Sequence, residues 1–104
     1  MRHTFAHADS AILTACKDAV EAGEVYDAAA NAEAGGEGVE RLDLYDRERQ
    51  AFRVVIATPS TTPAGLAAKA SLLARWQEHL ESAALAFSIA KDAIAIGEAI
   101  SAFR

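Results

Sequence analysis

His3 and His7 sit four residues apart with Asp9 close behind. On a helix that spacing puts both imidazoles on one face, a geometry that suits a metal ion. No third ligand lies within reach and the segment is terminal, so no metal ligand is assigned. His79 stands beside Glu78 and Glu81. A helical di-metal centre wants a Glu three residues ahead of its His, and that position is Trp76. His79 is expected at the surface or its boundary, as neither ligand nor base. The Gly-rich run at 35–38 has the composition of a phosphate cradle. Such cradles follow a strand and carry a Lys-Ser/Thr pair, and neither is present here, so the run reads as a connection. Thr62 and Lys69 form a weak anion candidate, because a helix N-terminus offers unpaired N–H groups and partial positive charge. Lys69 lies nearly two turns further on and would have to fold back.

The remaining chemistry-bearing residues read more simply as structure. Arg41, Arg47, Arg49 and Arg53 are interspersed with five acids between positions 37 and 48. That is a salt-bridged, solvated face and not a nucleic-acid surface. Asp43 and Arg47 are spaced to pair, whereas Arg49 and Arg53 repel. Cys16 lies on an apolar stripe and reads as a small buried hydrophobe, not a nucleophile. Trp76 and Tyr45 recur with leucines at helical spacing and read as core aromatics. No Ser/His/Asp arrangement stands out. No constellation of residues supports an enzyme, and neither an enzyme nor a cofactor is expected.

The elements that must position these residues are helical. The clearest punctuation is TPSTTPAGLAAK, residues 58–69, which holds both prolines. Pro63 suits the first position of a helix, since its missing N–H would be unpaired there anyway. Thr62 then falls at the N-cap, and Pro59 ends the preceding helix near Thr58. Gly65 leaves room for a close approach. One helix is expected over about 4–34, with Phe5, Ile12, Cys16, Ala19, Val20, Gly23 and Tyr26 on its apolar side. The connection at 35–38 leads to a helix over about 39–57, with Leu42, Tyr45, Phe52 and Ile56 on one stripe. Its β-branched end, FRVVIAT, has no second strand to pair with and is assigned to the helix. After the turn at 58–62 the chain is helical over 63–102. A single helix of that length would span about 60 Å, so a break is expected near 81–82. One apolar stripe runs Leu66, Ala70, Leu73, Gln77, Leu80, Ala84, Phe87 and Ile94. A second runs Leu85, Ile89, Ala93, Ile96, Ile100 and Phe103. Gly97 is expected to mark a close helix contact.

The chain of 104 residues has a formal charge of -5, and all of the excess is in residues 1–57, with 6 basic and 11 acidic residues. Residues 58–104 balance at 4 and 4. An acidic balance disfavours nucleic acid and anionic membranes. A single cysteine favours a reducing compartment. The opening MRHTFAHADS has no apolar run of signal-peptide length, and no stretch has the length of a membrane span. A cytoplasmic location is the expectation.

From Ala57 to Trp76 the segment TPSTTPAGLAAKASLLARW resembles a group of small uncharacterised bacterial helical proteins. Their shared TPxTTxAGLxxK-like pattern is a Pro/Thr turn followed by Gly-Leu-x-x-Lys. The resemblance covers about a quarter of the chain. The resemblance implies a bacterial protein of a kind carried on mobile or phage-derived elements, and no catalytic residues.

The expected fold is all-α: an antiparallel bundle of three or four helices completed by a partner chain. Two apolar stripes on the closing helix call for more cover than one chain supplies. The expected function is a non-enzymatic structural or interaction protein forming a homo-oligomer, with a dimer favoured. Leu85, Ile89, Ile96, Ile100 and Phe103 are the candidate interface. The alternative is a small acidic regulator of a basic protein partner, and after it a ligand- or anion-binding bundle.

Overall fold

The computed structural model of the chain describes residues 9–32 and 38–102. The described residues form four helices and no strand: α1 (Ser10–Ala32), α2 (Gly38–Ala57), α3 (Pro63–Arg75) and α4 (Ser82–Ser101). The expected helix ahead of Asp9, the residues at 35–37, His3, His7 and Phe103 lie outside the described residues. No helix among the described residues is long and apolar enough to cross a membrane.

The core is one cluster fed by all four helices. Ile12, Ala15, Cys16 and Ala19 come from α1, Phe52 and Val55 from α2, Leu72 from α3 and Leu85 from α4. The α1 face is mostly small, so α2 lies close along it and their packing is the most extensive in the fold. Phe52, Ile12, Leu72 and Leu85 are almost wholly buried, each worth about 1.5–3 kcal/mol of transfer free energy. Gly23 has a steric role beyond weakening its helix: a Cβ there would lie 2.6 Å from the Trp76 indole. The ring packs against bare α1 backbone.

Three expectations about faces are corrected. Leu42 is 64% exposed, while Glu48, expected on the polar side of α2, is 3% exposed. The stripe through Leu66, Leu80, Phe87 and Ile94 is not continuous. The chain leaves helical geometry over Trp76–Glu81, slightly ahead of the expected break, and this resets the rotation of α4 relative to α3. Leu85 therefore turns into the core and Ile89 packs against it, while Leu80, Phe87 and Ile94 are exposed. Gly97 marks no close approach within the chain, for a Cβ there would meet nothing within 4 Å.

Candidate functional site

The Pro/Thr turn is held by two buried carboxylates, one on each side. Pro63 opens α3 and the Thr62 hydroxyl accepts the Gly65 N–H at 3.2 Å. Asp9, the residue before α1, accepts the Thr61 N–H and hydroxyl, both at 2.9 Å, and the Thr62 N–H at 2.9 Å. The Thr62 hydroxyl donates to Asp9 as well. The anion seated at this helix N-terminus is thus the protein's own side chain. Gly65 makes room for it, because a Cβ would fall 2.1 Å from Asp9 Oδ2. Burial pushes the Asp9 carboxyl up, and the hydrogen bonds from Thr62 and Thr61 more than offset it, leaving it below its ordinary value.

Lys69 does not fold back toward Thr62. Its side chain is fully buried and Nζ donates to Asp92 Oδ2 at 2.6 Å and to Ser88 Oγ at 2.7 Å. The Ser88 hydroxyl in turn donates a hydrogen bond to the Ile56 carbonyl at 3.1 Å. Asp92 also accepts the Ser60 N–H at 3.0 Å and the Ser60 hydroxyl at 2.7 Å. Burial raises the Asp92 carboxyl, but Lys69 and Ser60 together hold it below the ordinary range. The end of α2, the turn, α3 and α4 are joined through one ion pair. A buried pair of this kind fixes geometry more than it adds stability, since its attraction must first offset desolvation. The turn is a structural latch, and its donors and acceptors are spent on one another.

Two other surfaces are not spent. The first is the outward face of α4. Phe87 is 73% exposed, Ile94 63% and Ile100 54%, and the interval over Gly97 is open. Of the expected interface residues, Leu85 and Ile89 belong to the intramolecular core. Ile96 is half-buried beside Ser60 and Thr61 in a small groove of about 120 Å³. Ile100 alone among the described four is exposed.

The second is a cavity of about 550 Å³ between α1, α2 and the Trp76–Glu81 link. Tyr26 and Tyr45 meet there with ring centres 5.7 Å apart. Trp76 stands edge-on to Phe52 and its Nε1 donates to Asp27 at 3.3 Å. The His79 imidazole is stacked flat on Phe52, with centroids 3.8 Å apart, and its side chain is only 4% exposed. It is more deeply placed than a surface residue. The Glu81 N–H donates to Nδ1 at 2.9 Å, which assigns the proton of the neutral ring to Nε2. Nε2 lies 3.3 Å from Glu48 Oε1 and has no aligned partner. Burial pushes the His79 imidazole down, only partly opposed by Glu81. Burial and then the Asp27 charge push the Glu48 carboxyl up. Both shifts favour the uncharged forms, so the two groups meet as neutral neighbours more readily than as an ion pair.

Ser88, Asp92 and Glu48 are not singled out by the sequence, and Asp9 stands out there only beside His3 and His7. A signal existed for the latch: Lys69 and Asp92 are opposite charges, each placed on the buried stripe of its helix. Cys16 is buried, and burial raises its thiol above the ordinary value, which leaves it unreactive. No group of three metal-binding side chains occurs among the described residues. Comparison of the chain with family models, curated proteins and solved structures finds no match.

Proposed function

We propose that the protein is a non-enzymatic helical interaction module that associates with a second copy of itself through the outward face of α4. The observation that carries this reading is the exposed row Ala83, Phe87, Ala90, Ile94, Gly97 and Ser101. Its steps of four and three residues are those of a helix seam. Phe87 and Ile94 on this row would otherwise face water. The row is also self-complementary. An antiparallel pairing centred on position 92 sets Phe87 over the second copy's Gly97 and Ile94 over the second copy's Ala90. Bulky residues then meet small ones in each layer, as dense packing requires. A parallel pairing would set Phe87 on Phe87 and Gly97 on Gly97, which crowds one layer and leaves a void in another. The open space at Gly97 belongs naturally to such an approach.

The test is solution mass by light scattering over a wide concentration range, with Phe87→Glu/Ile94→Glu as the comparison. The chain is 11.0 kDa; the reading requires twice that mass for the wild type and the single mass for the variant, with helical content retained. A wild-type chain that stays monomeric at every accessible concentration contradicts it.

A second reading, a small acidic regulator of a basic protein, draws support from the exposed acids Asp18, Glu21, Glu24 and Asp27 along α1 and Asp43 and Asp46 on α2. It requires a complex that weakens as salt is added, since exposed charges are screened. A complex indifferent to salt removes its electrostatic basis.

A further inference from the structure

The cavity between α1, α2 and the Trp76–Glu81 link has a lining that matches one kind of ligand. Glu48 is the buried acid on its wall, 3% exposed. Among the described residues no donor is aligned on its carboxylate. His79 Nε2, 3.3 Å away, is itself buried without an aligned partner. A buried carboxyl left in this way avoids the cost of its charge by holding its proton, and it ionises when a counter-charge reaches it. Asp27 and Glu78 add further acids to the lining, which also holds three aromatic rings, Tyr26, Tyr45 and Trp76. Arg75, also on the wall, is already paired with Glu24, with its guanidinium 4.7 Å from the Trp76 ring centre.

Acids that accept hydrogen bonds, set among ring faces that attract positive charge, are the chemistry of a cation site. The donor set falls short of what a metal ion takes: no group of three ligating side chains is present among the described residues, and the aromatic wall would leave much of an ion's shell unfilled. An ammonium on an alkyl arm uses both halves of the lining. We propose that this cavity binds a primary ammonium group, with the charge between Glu48 and Asp27 and the arm along the rings of Tyr26, Tyr45 and Trp76. The same chemistry comes from a free diamine or from a lysine side chain of another protein. The inference does not depend on self-association, because no lining residue lies on α4.

Trp76 is the sole tryptophan and reports on the cavity directly. The experiment titrates the full chain, at constant ionic strength, with three probes followed by tryptophan fluorescence: cadaverine, the peptide acetyl-Gly-Lys-Gly-amide, and 1-pentanol as the uncharged arm. A saturable response to cadaverine, to the peptide or to both, with none to pentanol, is expected. The tighter of the two amines identifies the source of the ammonium. Glu48→Gln is expected to weaken binding about tenfold or more, and Asp27→Asn, at an exposed position, severalfold. Circular dichroism checks that both variants fold. The inference is overturned if neither amine gives a saturable response, if pentanol reproduces it, or if both folded variants bind as the wild type does.

Discussion

At the scale of single residues, the fold turns on polar groups placed where apolar ones are usual. Lys69 is wholly enclosed and depends on Asp92 and Ser88 for its hydrogen bonds. Lys69→Met leaves Asp92 buried without its cation, and chemical denaturation is expected to show a loss of about 3–5 kcal/mol. A loss under 1 kcal/mol would mean that the pair is not formed in solution. The glycines separate by surroundings. Gly65→Ala drives a methyl into Asp9 and should destabilise, whereas Gly97→Ala meets open space within the chain and, in the Phe87→Glu/Ile94→Glu background where α4 is unpaired, should stabilise the helix by about 0.5–1 kcal/mol. Thermal melts of the two variants check the opposite signs. The titrating groups give a pH profile. Asp9 and Asp92 are held low by their hydrogen bonds against the pull of burial. Their contribution is present above the ordinary carboxylate value near 4 and is lost as pH falls through the lowered values. His79, depressed by burial, contributes above its unfolded value near 6.5 and loses that contribution as pH falls through its folded value. Glu48, raised by burial and Asp27, works the other way: its contribution is complete below about 4.3 and is lost as pH rises through its folded value. Glu48→Gln removes only this last term. It is expected to melt higher than the wild type at pH 7 and to keep the acid limb, and an unchanged or lower melting temperature at pH 7 would contradict the assignment.

At the scale of elements, what decides the exposed surface is the break between α3 and α4. Trp76 ends α3, with its N–H on the Leu72 carbonyl at 3.1 Å, and Ser82 resumes the helix after its N–H bonds the His79 carbonyl at 3.0 Å. Between them His79 turns inward to stack on Phe52. Arg49 and Arg53 both reach Glu81 at 3.4 and 3.3 Å, and of the two Arg53 is exposed and adds little. This rotation presents Phe87 and Ile94 outward, on the face proposed as the seam. A spin label on Ser101 reads the direction of the seam. Antiparallel helices place the two labels about 27 Å apart along the axis, whereas parallel ones bring them to within roughly 10 Å. A short distance would refute the antiparallel register. The all-helical class, the Thr62 cap and Pro63 as the opening residue were legible in the sequence, because capping chemistry and proline geometry act within a few residues, while the number of helices was left at three or four. The faces were legible only inside each helix. Periodicity records which residues share a side and says nothing of the rotation across an irregular link, so Leu85 and Phe87 exchanged roles. Glu48 and His79 were hidden for a related reason: their burial comes from the link folding over α2, a tertiary event with no local signature.

At the scale of the whole molecule, the chain is long for its size, 58 × 28 × 17 Å, with a radius of gyration of 15.9 Å. A compact domain of this length has about 13 Å. The excess comes with a thin core, in which most of α4 is covered on one side only. Small domains bury a limited share of their surface, and a second chain is a common way to bury more. Charge is distributed unevenly as well: the excess acid lies in residues 1–57, and α4 carries only Lys91, Asp92 and Glu98, so little electrostatic repulsion opposes pairing along its apolar row. The most direct measurement is the mass of the wild-type chain and of Phe87→Glu/Ile94→Glu by sedimentation equilibrium at matched concentrations. A self-associated wild type at twice 11.0 kDa, beside a folded variant at the single mass, is the predicted result. A wild type and a variant that sediment alike as folded monomers would contradict it.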